Sequence, residues 1–184
     1  MKKISTLYKK DLTNLALVIN EIDPNNQWVL DGYCIPTRKF DGTSSMVFDG
    51  NIYKRYDVKK GKSVPNGAIP CQDADLITGH WPHWLLCDRN NKSDKYFFEA
   101  FDRQFPLENG TYELVGPKIQ GNPENISLNT LILHGYETLD IKDFSFESLI
   151  EYLTHNDIEG IVFHHIVKDK MCKIRKSDFG IKRN

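Results

Sequence analysis

A β-hairpin is the clearest element that the pattern of apolar and polar positions predicts. Residues 45–48 and 52–56 are two short runs rich in apolar and aromatic side chains, and Asp49-Gly50 lies between them. An Asp-Gly pair between two such runs favours a two-residue turn, because both positions tolerate the positive φ angles that this turn needs. The sequence therefore predicts two antiparallel strands joined at this turn.

Other segments follow strand or helix periodicity. Ser145 is a candidate helix N-cap, and apolar residues recur behind it at helical spacing as far as Leu153. Residues 7–22 also carry apolar positions at roughly helical spacing, which allows a short helix and does not exclude a strand. Strands are predicted over residues 28–30, 96–101, 111–115, 128–133, 158–166 and 171–174.

Residues 61–94 interrupt this regular pattern. They are rich in Pro, Gly, Asn and Asp, and their prolines oppose any long regular element. We interpret the segment as an irregular excursion packed by Trp81, Trp84 and Leu85. Many strands with one or two helices predict an α+β architecture with largely antiparallel sheets. Because no repeat or linker divides the chain, we expect a single domain over residues 1–184.

Composition agrees with one compact protein. The chain has 184 residues and 40% hydrophobic content, which is enough for one substantial core. No apolar run approaches the ~20 residues that cross a bilayer. Charged residues also follow the first five positions, where a signal peptide would have its apolar core. We therefore expect a cytoplasmic protein that does not bind a membrane.

Charge is balanced overall but uneven along the chain. The formal net charge is −1, which does not by itself indicate a nucleic-acid partner. Residues 54–62 carry five basic side chains against one acid, and residues 168–184 carry seven against two. Such segments can neutralise RNA phosphates, although charge runs are also common on solvated faces.

The four cysteines give no signature of a disulfide framework. They are widely scattered without a Cys-x-x-Cys spacing, which fits reduced thiols. Cys71, His80, His83 and Cys87 could be grouped as a zinc site, but their spacing matches no common zinc pattern. The neighbouring tryptophans favour packing instead.

Candidate chemistry begins at residues 37–43, Thr-Arg-Lys-Phe-Asp-Gly-Thr. Lys39 lies two residues before Asp41-Gly42, and a glycine without a Cβ lets the backbone approach a bound phosphate. Alone, this pattern is also typical of a turn with a solvated lysine. Three further segments follow in order, namely 112–116 (Tyr-Glu-Leu-Val-Gly), 159–163 (Glu-Gly-Ile-Val-Phe) and 173–176 (Lys-Ile-Arg-Lys).

In this order the segments resemble the signature motifs of the covalent nucleotidyltransferases, the superfamily of ATP-dependent RNA and DNA ligases and mRNA capping enzymes. Segments similar to the small RNA ligases that join a 5′-phosphate to a 3′-hydroxyl are 113–123, 131–135, 159–165 and 178–180. The resemblance spans roughly residues 28–180. It implies the fold of the ligase adenylation domain, in which two mainly antiparallel sheets enclose an ATP cleft, with no oligonucleotide-binding domain after the last motif.

The resemblance also implies a reaction. Lys39 would attack the α-phosphorus of ATP, expel pyrophosphate and form a lysyl-AMP phosphoramidate. The AMP would then pass to an RNA 5′-phosphate, and a 3′-hydroxyl would displace it to seal the strand. A free lysine amine has a pKa of about 10.4 and is protonated at neutral pH. Nearby cations disfavour that charge, and the candidates are Mg²⁺ or Mn²⁺ with Lys173 and Arg175.

Residues near the end of the chain take phosphate and metal roles by the same resemblance. Glu159 would support the catalytic metal, because carboxylate oxygens suit Mg²⁺. Lys173 and Arg175 would bind the nucleotide, and they leave one face of a strand because they are two positions apart. The family usually has two lysines here, so Arg175 departs from the pattern and Lys176 is an alternative.

The remaining nucleotide-binding candidates come from the middle of the sequence. Glu113 resembles the glutamate that hydrogen-bonds the ribose hydroxyls of the nucleotide. Asp41 and Gly42 would shape the loop after the nucleophile, and Arg55 is the candidate arginine downstream of it, with Lys54 as the alternative. The aromatic residue that stacks on the base is left open among Tyr112, Tyr136, Phe144 and Phe163.

ATP is expected rather than GTP because the motifs are ligase-like, although Thr37 stands where ligases often have a glutamate. The expected partner is RNA with 5′-phosphate and 3′-hydroxyl ends, and we expect a monomer. One alternative is a nucleotidyltransferase with another acceptor, such as a capping-type guanylyltransferase or a DNA ligase. The other is an inactive RNA- or nucleotide-binding domain of the same fold, against which the presence of Lys39, Glu113, Glu159 and Lys173 argues.

Overall fold

The computed structural model describes residues 4–75 and 79–183 of the chain. These residues form an α+β protein with three mostly antiparallel sheets, two α-helices and three short 3-10 helices. The predicted fold class is therefore confirmed at the level of architecture. No helix in the described chain has the length and apolar character needed to span a membrane.

The chain divides into two compact units. We call Asp41–His134 the central unit, and Ile4–Phe40 together with the residues from Gly135 onward the terminal unit. Each unit has its own main sheet, its own α-helix and its own apolar core. The expectation of a single domain over residues 1–184 stays a prediction.

The terminal unit contains a four-stranded sheet and a two-stranded sheet. The four-stranded sheet has the order β1-β12-β11-β4, built from β1 (Ser5–Thr6), β4 (Cys34–Lys39), β11 (Gly160–His165) and β12 (Met171–Arg175). Its β1 and β12 are parallel, and its other pairs are antiparallel. The remaining elements are β2 (Tyr8–Lys10), β3 (Val18–Ile22), α2 (Phe146–His155) and the 3-10 helices Pro24–Val29 and Lys176–Phe179.

Strand alternation gives the four-stranded sheet one apolar face. Ile161, Phe163 and Ile174 point to that face and are fully buried. Leu149 and Leu153, one helical turn apart on α2, belong to the same core. The opposite face is left for the polar side chains of the same strands.

The central unit is a six-stranded antiparallel sheet with one α-helix. The strand order is β10-β9-β5-β6-β8-β7. Its elements are β5 (Thr43–Phe48), β6 (Asn51–Val58), β7 (Ile69–Pro70), β8 (Trp81–Leu86), β9 (Gly110–Val115), β10 (Thr130–Leu133), α1 (Lys95–Gln104) and the 3-10 helix Lys92–Asp94. Val47, Ile52 and Leu114 from the sheet share a core with Phe97 and Phe101 from α1.

Local signals predicted several elements correctly. The predicted hairpin is formed by β5 and β6, and Asp49 and Gly50 between them have φ angles of 48° and 69°. Helix α2 begins directly after Ser145, as its N-cap position predicted. The strands predicted over 111–115, 128–133, 158–166 and 171–174 are confirmed as β9, β10, β11 and β12, within a few residues at their ends.

One prediction near the start of the chain was wrong, and one open alternative is decided there. Residues 28–30 do not form a strand, because Pro24–Val29 is a 3-10 helix that Asp23 caps by accepting a hydrogen bond from the Asn25 backbone N–H. The strand that carries Lys39 is β4 instead. Over residues 7–22, where the sequence left helix and strand open, the chain forms the antiparallel strands β2 and β3. The side chains of Asp11 and Asn14 accept backbone hydrogen bonds between these strands, which favours a turn there.

Two further predictions were wrong in the central unit. Residues 96–101 lie in α1 rather than in a strand, and Phe97, Ala100 and Phe101 are buried at the helical spacing i, i+3, i+4. The segment 61–94 is also more regular than expected, because it contains β7 and β8. Pro82 is tolerated near the beginning of β8, where a missing N–H costs little.

Candidate active site

Lys39 is the last residue of β4, and sheet register places it opposite the beginning of β11. Gly160 pairs with Lys39 on one side and with Arg175 on the other. The three residues therefore form one row across β4, β11 and β12. Adjacent strands are about 4.8 Å apart, so the Lys39 and Arg175 backbones are separated by roughly 10 Å.

Gly160 is required by the packing of this row. A Cβ at this position would lie 2.3 Å from the backbone oxygen of Ile174 and 2.8 Å from the Cα of Arg175. Real side chains do not tolerate such distances, so any other residue would displace β12. The glycine thus keeps Lys39 and the basic strand β12 in register.

The next row on the same face contains Lys173. Lys173 pairs with Val162, which in turn pairs with Thr37. Because residues two positions apart share a face, Lys39, Lys173 and Arg175 all leave the side opposite the apolar core. Ile174, between the two cations, is fully buried in that core.

The Lys39 amine makes a short ion pair with Glu159. Its Nζ contacts the Glu159 Oε2 atom, and the two side chains are 22% and 20% exposed. Glu159 lies directly before β11, where its backbone oxygen accepts a hydrogen bond of 2.9 Å from the Lys176 N–H. The Lys39 nitrogen is thus held against a carboxylate on the polar face of the sheet.

Lys173 is the lysine whose charge is destabilised in this cluster. Burial lowers its pKa to about 8, and repulsion by the positive charges of Lys39 and Arg175 acts in the same direction. The charges of Glu159 and Asp178 oppose this shift without cancelling it. Near neutral pH the Lys173 ammonium is thus a cation that a bound anion would stabilise.

Arg175 is held in place by a buried carboxylate. Asp178 is fully buried, and its Oδ1 accepts from the Arg175 Nη2 at 2.8 Å while its Oδ2 accepts from the Nε at 3.2 Å. The Arg175 backbone N–H also donates to Oδ2 at 2.9 Å, and Lys10 Nζ donates to Oδ1 at 2.7 Å. The hydrogen bonds that Arg175 donates to Asp178 raise the pKa of Arg175. Lys176, the alternative to Arg175, is buried.

The lowered pKa of Lys173 gives a pH prediction. The positive charge of Lys173 is lost in the free protein as pH rises through about 8. Suppose that this charge binds nucleotide phosphates. The wild-type kcat/KM for formation of the covalent lysyl-AMP adduct should then fall above about pH 8 relative to the kcat/KM of Lys173→Arg, whose guanidinium stays charged. The ratio of the two kcat/KM values at each pH cancels pH effects that are common to both proteins. A constant ratio between pH 7 and pH 10 would exclude Lys173 as a phosphate-binding cation.

Glu113 is the centre of the candidate residues in the central unit. It lies on β9 with its side chain 11% exposed, and its Oε1 accepts a hydrogen bond of 3.1 Å from the Gly42 backbone N–H. A Cβ on Gly42 would lie 2.2 Å from the Leu114 backbone oxygen and 2.9 Å from the Val115 Cγ1. Close packing against β9 is therefore sufficient by itself to require a glycine at position 42. The backbone N–H of Asp41 donates to Glu124 Oε1 at 2.8 Å.

Sheet register separates Arg55 from Lys54. Glu113 pairs with Ser44 and Ser45 pairs with Lys54, so Ser44 lies opposite Arg55. Arg55 thus shares a sheet face with Glu113, and its guanidinium lies 5.6 Å from the ring centre of Trp84. Lys54 points to the other face. There it makes an ion pair of 2.5 Å with Asp94, whose side chain is buried.

The aromatic candidates for base stacking differ in exposure. Tyr112 and Phe163 are buried in the cores of their units. Phe144 packs edge-on against Phe163 at 5.6 Å between ring centres. Tyr136 is 77% exposed. Exposure therefore favours Tyr136 among the four.

The candidate ligands for zinc and for magnesium lie in different surroundings. Within residues 4–75 and 79–183, no group of three or more His, Cys, Asp or Glu side chains is placed to hold a metal ion. His83 is buried with its Nδ1 2.9 Å from the Trp81 backbone oxygen, and Cys87 is buried in the core of the central unit. Glu159 offers a partly exposed hard oxygen donor, and Mg²⁺ is commonly bound by one or two carboxylates plus phosphates and water.

Two residues of the site had no role in the sequence interpretation. Asp178 holds Arg175, and His134 contacts Glu113 through Nε2 at 2.9 Å. Both lie inside segments that resemble the RNA ligases, 131–135 and 178–180. Only the contacts show what these two side chains touch.

Comparison with known proteins adds no family to this picture. No family model matches the chain, and no curated protein matches it.

Proposed function

We propose that the protein is an ATP-dependent RNA ligase that acts through a covalent lysyl-AMP intermediate on Lys39, in a domain with the nucleotidyltransferase fold. The observation that carries the proposal is the cluster on the polar face of the terminal sheet. It contains one amine at a strand end, the carboxylate of Glu159 against it, and the cations Lys173 and Arg175 on the same face. These are the groups that a lysine needs in order to attack a phosphoryl centre.

The first step is a transfer of the AMP group to nitrogen. The lone pair of the Lys39 nitrogen forms a bond to the α-phosphorus of ATP, while the bond from that phosphorus to the pyrophosphate oxygen breaks. The ammonium of Lys39 gives one proton to water as it leaves Glu159, and the nitrogen gives a second proton to water once the bond to phosphorus has formed. Separation of this ion pair is thus the movement that precedes attack.

A divalent cation fits this step at Glu159. The carboxylate is a fifth exposed and is a hard oxygen donor, as Mg²⁺ or Mn²⁺ requires. When bound, the ion supplies positive charge to the phosphate oxygens. Glu159 would then hold the ion instead of pairing with Lys39.

Lys173 and Arg175 stabilise negative charge and do not take part in bond formation. Negative charge develops on phosphoryl oxygens during attack, and preorganised cations stabilise it without reorganising. Arg175 is preorganised because Asp178 holds two of its nitrogens. A bound anion would stabilise the positive charge of Lys173 in particular, because burial lowers the pKa of Lys173 in the free protein.

The nucleotide-binding roles in the central unit are part of the same proposal. We assign ribose binding to Glu113, loop positioning to Asp41 and Gly42, and phosphate or RNA-end binding to Arg55. Glu113 and Arg55 share one sheet face, where Arg55 also pairs with Asp57 at 3.6 Å, whereas Lys54 leaves the opposite face and pairs there with Asp94. This arrangement supports Arg55 over Lys54. The RNA 5′-phosphate would receive AMP from Lys39, and the 3′-hydroxyl of the second end would then release it.

The proposal is tested by incubating the protein with Mg²⁺ and either ATP or GTP labelled at the α-phosphate. We expect label from ATP to remain with the protein on a denaturing gel and to be lost in acid, because a phosphorus–nitrogen bond is acid-labile. Addition of nicked or broken 5′-phosphate RNA should then discharge the label and seal the strand, whereas matched DNA should not be sealed. Label from GTP alone would indicate a capping-type enzyme, and no label from either nucleotide would contradict covalent transfer.

A further inference from the structure

The Glu113 carboxylate is held by a second side chain that the proposed reaction does not use. Its Oε2 lies 2.9 Å from the Nε2 of His134, and its Oε1 accepts the Gly42 N–H. The other ring nitrogen of His134, Nδ1, lies 2.9 Å from the Thr111 hydroxyl. Thr111 and Glu113 are two positions apart on β9, so both face the same side. The result is a chain of hydrogen bonds, Thr111–His134–Glu113–Gly42.

The direction of each hydrogen bond follows from the groups involved. A carboxylate only accepts, so the His134 Nε2 must carry the proton that it shares with Glu113. In the neutral ring Nδ1 is then an acceptor, and the Thr111 hydroxyl donates to it. Glu113 thus sets the tautomer of His134, and the hydrogen bond with Thr111 fixes the orientation of the ring. His134 in turn fixes the plane of the carboxylate.

The chain leaves part of the carboxylate available. An ionised carboxylate has about four acceptor sites, and the two neighbours described above use one on each oxygen. Among the residues that the structure describes, one acceptor site on each oxygen therefore remains. Two vicinal hydroxyl donors match a carboxylate held in this orientation, and the ribose of a nucleotide supplies such a pair.

We propose that His134 is a positioning residue that sets the preference of the protein for ribonucleotides, by holding Glu113 for the 2′- and 3′-hydroxyls of the bound nucleotide. The proposal rests on the proposed function only in assigning the ribose to Glu113. A site built to hydrogen-bond a hydroxyl discriminates strongly against an analogue that lacks it, because a buried polar group is left unpaired. Without His134 the carboxylate can rotate, and this discrimination is lost.

The test compares His134→Leu, which removes both ring contacts, with His134→Gln, whose amide can still donate to Glu113. His155→Leu is the matched control, because His155 is an exposed histidine on α2. For each protein, KM and kcat for adduct formation are measured with ATP, 2′-deoxyATP and 3′-deoxyATP. Equilibrium binding of the same three nucleotides is measured separately. Thermal unfolding confirms that each variant is folded.

For His134→Leu we expect KM and Kd for ATP to rise about 10- to 100-fold, with little change for the deoxynucleotides and in kcat. His134→Gln should restore most of the wild-type preference. Two results for His134→Leu would overturn the positioning role. One is an equal rise in KM and Kd for all three nucleotides, and the other is an unchanged preference for ATP over the deoxynucleotides. Binding without adduct formation by the wild type would contradict the ligase reaction, and the Kd values would still decide the role of His134.

Discussion

Lys39→Arg is expected to abolish the covalent protein–AMP adduct, lowering its rate of formation at least about a thousandfold. The guanidinium remains charged at all accessible pH values and cannot supply a nucleophilic lone pair. The substitution nevertheless keeps a positive charge opposite Glu159. Loss of the adduct would therefore report loss of the nucleophile rather than loss of the ion pair. The adduct is measured by transfer of α-phosphate label from ATP in the presence of Mg²⁺.

Lys9→Arg is the matched control for this substitution. Lys9 also lies on a strand of the terminal unit and also pairs with a carboxylate, Glu21, at 2.9 Å. We expect its adduct formation to equal that of the wild type. If Lys39→Arg kept the adduct, the nucleophile would be another amine, and Lys173 with its lowered pKa would be the first to examine.

Asp178→Asn is expected to destabilise the folded protein by about 3–5 kcal/mol, the usual cost of removing one partner from a buried ion pair. All four groups around the Asp178 carboxylate are donors, two from Arg175 on Oδ2 and one each from Arg175 and Lys10 on Oδ1. An asparagine would direct its own NH₂ group at one of these pairs. Chemical denaturation measures the loss, and adduct formation should fall as well because Arg175 loses its support.

Acidification provides a second test of the Asp178 pair. Burial alone would raise the pKa of Asp178, but hydrogen bonds from Arg175 and Lys10 and their charges outweigh it and lower the pKa. A carboxyl group with a lowered folded-state pKa stabilises the protein above its ordinary pKa, and this contribution is lost as pH falls through the folded value. The difference in free energy of unfolding between the wild type and Asp178→Asn should thus be constant near neutral pH and become smaller in acid.

The control for the stability measurement is the exposed pair on the same unit. Glu21→Gln removes one partner of the Lys9–Glu21 ion pair, whose side chains are 48% and 59% exposed. Exposed pairs contribute about 0–1 kcal/mol, so this variant should stay close to the wild type. An Asp178→Asn variant as stable as Glu21→Gln would contradict the role given to Asp178.

Elements with strong local signals were predictable from the sequence. The Asp49-Gly50 turn fixes the β5–β6 hairpin because both residues accept positive φ, and Ser145 marks the beginning of α2. Residues 96–101 show why other elements were not. Their aromatic residues favour strand by composition, and only packing of Phe97 and Phe101 into a core with the sheet selects the helix.

The candidate site could be predicted as a set of residues but not as an arrangement. Lys39 and Glu159 are 120 positions apart, and their contact depends on the register of three strands around Gly160. No local pattern determines such a register. The partners His134 and Asp178 were missed for the same reason, since each contacts its target through tertiary packing.

Peptide mapping by mass spectrometry tests the central claim most directly. The protein is incubated with ATP and Mg²⁺, digested at neutral or alkaline pH to preserve a phosphorus–nitrogen bond, and fragmented to locate the modified residue. The account predicts a single added adenylyl group on Lys39. An adenylyl group on any other residue, or an unmodified Lys39 under conditions that saturate the protein with ATP, would contradict it.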